Sequence, residues 1–196
     1  MAIDLEKGQR IEVGLKHITL GLGWDPNVRG DEDFDLDASA FLLGDNGRLV
    51  SDEHFIFYNN LDGFGHRDPM DCEEAAHGVL HTGDDPDGES SDGDDDEVIE
   101  VKFDKVPASV KEIVFVVTIH DYADRSQNFG QVDNSYIRIV DESNGAEIAK
   151  YELGEDFSIE TAVEFGKLYR KDSEWKFQAM GEGQKQDLNY YVQKYR

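Results

Sequence analysis

The chain has 196 residues, enough for one generous domain, since single domains run to about 200 residues. Its 44 Asp and Glu outnumber 19 Lys and Arg, for a formal net charge of −25. That balance argues against nucleic acid and bare anionic membrane as partners, because both are bound through Lys and Arg. No apolar run approaches the ~20 residues of a membrane-spanning helix. The lone Cys72 has no partner for an intramolecular disulfide, and Met1 to Lys7 lack the apolar core of a secretion signal. The expected compartment is the cytoplasm.

In chain order, short apolar segments rich in β-branched and aromatic residues predict strands at Ile18–Trp24, Ala38–Leu43, Phe55–Tyr58, Val98–Phe103, Ile113–Ile119, Ser135–Val140, Glu147–Leu153 and Trp175–Ala179. Asp45-Asn46-Gly47 and Ser143-Asn144-Gly145 fall between such segments, where Asn-Gly suits the left-handed dihedrals of a hairpin turn. Residues 62–78 and 83–97 have no stable period and predict loops, the second almost wholly acidic, Gly and Ser. One main helix is predicted at Ser158–Arg170. Ser158 is its cap, and Ala162, Phe165, Leu168 and Tyr169 form an apolar stripe with acids early and bases late. Leu188, Tyr191, Val192 and Tyr195 predict a short peripheral helix near the C-terminus. The fold class expected is mainly β, a single-domain antiparallel β-sandwich over residues 1–196 with these two helices.

The chemistry lies in the aspartates. Asp33, Asp35 and Asp37 alternate with Phe34, Leu36 and Ala38, so a strand there turns the carboxylates to one side and the apolar set to the other. Strands disfavour Asp, so the placement calls for a reason. Crowded carboxylates repel, and a hard divalent ion with oxygen ligands converts that repulsion into a site. Calcium takes six to eight oxygens, more than one strand supplies. Further donors stand at the ends of other predicted strands: Asp25, Asn59 and Asn60, Asp94 to Glu97, and Asp121. The spacing is not that of an EF-hand, since Ala38 replaces its Gly and Gly44 its bidentate Glu. Magnesium wants a smaller octahedral cage, and zinc prefers N and S donors.

Gly21-Leu22-Gly23-Trp24-Asp25, Asp33-Phe34-Asp35-Leu36-Asp37-Ala38-Ser39-Ala40, Phe55-Ile56-Phe57-Tyr58-Asn59-Asn60, His81-Thr82-Gly83-Asp84 and Phe129-Gly130-Gln131-Val132 occur in that order. Together they closely resemble the TerD family of tellurium-resistance and stress-response proteins. The resemblance continues through Glu160-Thr161-Ala162 and Trp175-Lys176-Phe177. It implies a cytosolic bacterial β-sandwich that binds two or more calcium ions. It also implies a role in resistance to tellurite and other stresses, in membrane-associated complexes with other Ter proteins. The ligands it implies are Asp25, Asp35, Asp37, Asn59, Asp84, Asp94, Asp95, Asp96, Glu97 and Asp121. The chain departs from the family in a longer loop at Gly63–Gly78 and in extra residues around Ser90 and Ser91.

Two rival chemistries stand beside this reading. His66, Cys72, His77 and His81 offer one thiol and three imidazoles to zinc, at irregular spacing. The acidic cluster with a divalent ion, and His81 or His120 as general acid or base, would suit a phosphohydrolase. The chain has no phosphate-binding glycine loop, nucleophile elbow or compact triad signature to support the latter. The expectation is a non-enzymatic binding or interaction module.

Overall fold

A computed structural model describes residues 10–11, 16–28, 32–89, 95–172 and 174–196. In chain order the strands are β1 (Arg10–Ile11), β2 (His17–Gly23), β3 (Leu36–Leu43), β4 (Phe55–Ile56), β5 (Val79–His81), β6 (Glu97–Lys102), β7 (Glu112–Ile119), β8 (Tyr136–Asp141), β9 (Ala146–Glu152), β10 (Ala162–Lys171) and β11 (Glu174–Gln184). The helices are α1 (Tyr122–Arg125), α2 (Leu153–Asp156) and α3 (Leu188–Tyr195). One sheet runs β1-β11-β10-β7-β3-β4 and the other β5-β6-β2-β8-β9, with antiparallel pairing throughout. Among the described residues no helix is long and apolar enough to cross a membrane.

Alternation builds the core between the sheets. Ile18, Leu20 and Leu22 of β2 and Ile99 and Val101 of β6 meet Leu36, Ala38, Ala40 and Leu42 of β3 and Ile113, Phe115 and Val117 of β7 in one buried cluster. A second, smaller cluster lies on the other face of the six-stranded sheet. There α3 lays Tyr191 and Tyr195 over Phe41, Leu43, Phe55, Val114 and Val116. Covering both faces explains why β3 and β7 read as nearly continuous apolar runs.

The predicted main helix at Ser158–Arg170 is corrected: that stretch is a turn followed by β10. A β-bulge between Glu164 and Gly166 is the cause. Val163 faces the core opposite Val117, the extra residue Phe165 joins the same cluster, and Leu168 returns to it opposite Ile113. The bulge shifts the alternation by one residue and so leaves a three-residue apolar spacing that imitates a helix. The predicted C-terminal helix is present as α3, capped by Asp187, whose carboxylate accepts from Tyr190 N at 2.9 Å.

Both Asn-Gly turns are tight, with Gly47 and Gly145 at φ 67° and 69°. The second closes the β8–β9 hairpin, whereas after the first the chain returns only as an isolated bridge from Leu49 to Leu43 before β4. The predicted strand at Phe55–Tyr58 stops at Ile56, because Asn60 turns the chain: its Nδ2 donates to Phe55 O (2.7 Å) and its Oδ1 accepts from Gly63 and Gly65 N.

Candidate functional site: a carboxylate cluster at one end of the sandwich

The site begins where an inward-facing row of the smaller sheet ends in a charge. Val101, Ile99 and Glu97 of β6 share one face, as do Val79 and His81 of β5, with His81 opposite Ile99. Glu97 and His81 therefore occupy positions that alternation would give to apolar residues, and both are buried. Glu97 has a defined structural task. β4 pairs with β3 at Ala40 and Phe41, so among the described residues the start of β3 has no strand along that edge. Glu97 Oε2 accepts from Ala38 N at 2.7 Å, and its Oε1 accepts from Asp85 N at 3.3 Å. One buried carboxylate thus ties the edge of β3 to the acidic loop.

His81 Nδ1 accepts from Gly83 N at 3.1 Å, which leaves the ring proton on Nε2. That nitrogen lies 3.4 Å from Glu97 Oε2, at ion-pair distance but outside hydrogen-bond geometry. Burial opposes a charge on this ring, yet the Glu97 carboxylate outweighs it and holds the pKa above the ordinary imidazole value.

Around this anchor the other carboxylates gather. Asp37, Asp84 and Glu97 each present an oxygen within 4.8 Å of the others. Asp35 stands just before β3, its carbonyl accepting from His120 N at 2.8 Å. His120 Nδ1 lies 3.7 Å from Asp37 Oδ2, and its Nε2 lies 3.5 Å from Asp121 Oδ2. Asp121 holds φ at +48°, a left-handed conformation that costs a non-glycine residue of order 1 kcal/mol and is concentrated at functional positions.

The electrostatics are those of an uncompensated anion site. Burial, then the neighbouring Asp37, push Asp35 up to about 7. Burial, with Glu97 and Asp84 adding to it against the pull of His120, raises Asp37 to about 6. Asp84 stands at the surface, but the protein removes water from one side of its carboxyl and lifts it as well. Burial raises Glu97 too. The imidazole of His120, beside Asp37, is held up at about 9, so it offers a positive charge to Asp35, Asp37 and Asp84. The phenol of Tyr58 is pushed up by burial and then by Asp37, Asp84, Asp35 and Asp121. Its ring meets His120 edge-on at 6.1 Å, and Asn59 follows Tyr58 in the chain.

The remaining predicted ligands lie differently. Asp25 Oδ2 accepts from Asn134 Nδ2 at 2.7 Å, and Asp96 Oδ2 accepts from Trp24 N at 2.8 Å. Each is thus held close to where β2 ends, Asp25 next to Trp24 in the chain and Asp96 on the Trp24 backbone. Asp95 is held by Arg138, with Nε to Oδ1 at 2.9 Å and Nη2 to Oδ2 at 3.1 Å, and by Tyr136 Oη at 2.9 Å. It lies flat over Gly21, where a Cβ would fall 2.0 Å from Asp95 Oδ2, so the glycine makes room for this bidentate ion pair. Asp94 lies outside the described residues. The four residues proposed for zinc are not brought together. His77 stacks on His54 at 3.7 Å, His81 sits with Glu97, and only His66 and Cys72 are close, joined by the buried Asp62 that the sequence reading missed. Nothing in the spacing of Asp62 set it apart from the many other aspartates; the fold alone reveals it.

The donor set of the main cluster is carboxylate oxygen, with His120 at its border. That suits calcium, whose geometry is variable and whose ligands are oxygens, better than a metal that prefers N and S. As a general acid, His81 is badly placed, being 1% exposed with its Nδ1 already accepting a backbone N–H.

Comparison with known proteins adds family and fold. A model of the TerD domain matches residues 1–195. The uncharacterized protein YceE of Bacillus subtilis (strain 168) is 51% identical over 189 residues, covering 93% of this chain and 92% of that protein. Tellurium resistance protein TerD of Serratia marcescens is 47% identical over 188 residues (93% and 91%), and general stress protein 16U of Bacillus subtilis (strain 168) is 47% identical over 189 residues (93% and 91%). Among solved structures, the protein of unknown function SAV2460 superposes with a TM-score of 0.73 at 24% identity, covering 92% of this chain and 96% of that one. A TerD homologue of Streptomyces coelicolor A3(2), SCO6318, gives 0.70 at 19%, covering 91% and 96%.

Proposed function

Because the chain belongs to the TerD family, we propose that it is a calcium-binding, non-enzymatic stress-response protein that serves as an interaction module in resistance to tellurite or general stress. Two of its relatives carry the names tellurium resistance protein and general stress protein. The observation that carries the calcium reading is the convergence of Asp37, Asp84 and Glu97 within 4.8 Å. Asp35 beside them is pushed up to about 7 by burial and by Asp37, a state that a divalent cation relieves.

Asp35, Asp37 and Asp84 would hold the ion, with Glu97 as the anchor that fixes the loop carrying Asp84 and Asp85 against β3. Asp25 and Asp96 would serve a second ion where β2 ends. The bound ion supplies positive charge at the point where three chain segments meet. Neutralised, those segments hold one arrangement and present a fixed surface to a partner, another Ter-type protein in the cytoplasm or at the membrane through such a complex. Hydrogen exchange in residues 83–89 and 95–97 is therefore slower with calcium than without it.

Calorimetric titration of the chelator-treated protein tests the reading. Calcium binds with a stoichiometry of two or more, magnesium binds weakly, and a generic phosphoester is not turned over with magnesium or manganese. Absence of calcium binding, or phosphoester turnover that Asp37→Asn abolishes, overturns the proposal.

A further inference from the structure

The loop between β4 and β5 holds a second cluster, made of different residues and different donor atoms. A carboxylate oxygen of Asp62, a ring nitrogen of His66 and the sulfur of Cys72 all lie within 4.8 Å of one another. Asp62 is 1% exposed. Its Oδ1 accepts from Phe64 N at 2.9 Å, while its Oδ2 is 2.6 Å from His66 Nδ1. Cys72 Sγ donates to the Asp68 carbonyl at 3.6 Å.

This loop is built rather than loose. Leu61 N donates to His66 O and Ala76 N to Asp62 O, both at 2.8 Å. Asn60 Oδ1 gathers the N–H groups of Gly63 and Gly65, and these two glycines take φ of 85° and 86°, a region that closes the Leu61–His66 turn without strain only for glycine. Asp68 caps the turn Pro69–Asp71 through Met70 N, and Cys72 N closes onto Pro69 O. The result holds an aspartate, a histidine and a cysteine from two successive turns facing one point. His66 is exposed and Cys72 half-buried, so a ligand has access.

We propose that Asp62, His66 and Cys72 form a three-ligand site for a borderline transition metal, zinc above all, with its remaining coordination position open to water or to a further ligand. One sulfur, one nitrogen and one oxygen suit zinc or cobalt and do not suit calcium. The charges balance, since a thiolate, a carboxylate and a neutral imidazole offset a divalent ion. Asp68, Asp71, Glu73 and Glu74 close by in the chain add an attractive field. Binding releases the thiol proton, so it strengthens as pH rises. Without metal, burial and the Asp62 charge push the Cys72 thiol up, so it is a poor nucleophile, and the cluster is better suited to holding a metal than to thiol chemistry.

Cobalt(II) is the probe, added to the full chain under excess calcium so that the acidic cluster is occupied. The expected result is a single equivalent of cobalt that produces a thiolate-to-metal charge-transfer band and intense visible bands of low-coordinate geometry, both removed by zinc. Cys72→Ser loses the charge-transfer band, and His66→Ala and Asp62→Asn each weaken cobalt binding by about tenfold or more, the scale seen when metal sites lose a supporting group. Asp37→Asn leaves the spectrum unchanged. Because Cys72 and His66 are not core residues, their variants keep the wild-type melting temperature. Absence of the charge-transfer band in the wild-type protein, or unchanged cobalt affinity in both His66→Ala and Asp62→Asn, overturns the site. Neither outcome bears on calcium at the main cluster.

Discussion

Glu97→Ala lowers the stability of the folded protein by roughly 3–5 kcal/mol in urea denaturation, the range for removing one partner of a buried charged network. The carboxylate is fully buried and accepts from Ala38 N and Asp85 N. Its removal leaves the N–H of Ala38 facing an unpaired strand edge inside the protein, detaches Asp85 and strands His81 beside an empty space. Glu97→Gln keeps the volume and one acceptor oxygen but turns an amide NH2 toward the second N–H. It should lose roughly 1–2 kcal/mol, the scale of one hydrogen bond left unmade. An alanine variant within ~0.5 kcal/mol of wild type, the scatter of ordinary surface substitutions, would show that Glu97 does not anchor β3 to the acidic loop.

Chelation has an effect of similar size. An ion that binds only the folded state stabilises it by ~4 kcal/mol at a thousandfold excess over its dissociation constant, which for a chain of this length is roughly 10 °C in melting temperature. Asp37→Asn removes most of that gain and gives a crossing of stabilities. With calcium the wild type is the more stable. In chelator the variant is at least as stable, because an amide at that place escapes the burial penalty on a charge, and the added repulsion from Glu97 and Asp84, that raise Asp37 to about 6.

The pH dependence in chelator has a definite sign. Asp35 and Asp37, with folded values of about 7 and 6 against the ordinary ~3.9 for Asp, bind more protons in the native state than in the unfolded one. Their contribution is therefore favourable at low pH and is lost as pH rises from about 4 through 7. His120, raised to about 9, contributes stability that is full below its unfolded value of ~6.5 and disappears as pH rises through 9. Both effects make the calcium-free protein less stable between pH 5 and 8, while added calcium protects increasingly over the same range. An equal calcium shift in wild type and Asp37→Asn would remove Asp37 from the site.

Much of this arrangement was legible in the residues, and the misses have physical causes. Strands β2, β3, β6 and β7 stood out because Ile18, Leu20 and Leu22 alternate with polar or glycine positions, or because burial on both faces makes a continuous apolar run. The antiparallel sandwich followed from them, and the solved relatives share that fold. Sequence and motif point to Asp37, Asp84 and Glu97, and the fold gathers them. What the residues could not disclose was long-range pairing. Asp95 stood in the same acidic run as its neighbours, yet it is claimed by Arg138 and Tyr136, over 40 residues away. The bulge at Glu164–Gly166 gave β10 a helical spacing, and no local signal distinguishes the two cases when both faces of a strand are covered. The position of Asp62 beside His66 and Cys72 depends on the turn that Asn60 closes.

The most direct test of the calcium site is a high-resolution crystal structure grown or soaked in excess calcium, with anomalous scattering to identify the ion. Calcium density is expected between the side chains of Asp35, Asp37 and Asp84, with Glu97 still bonded to Ala38 N. Carboxylates turned apart into solvent, with no ion between them at saturating calcium, would contradict that expectation.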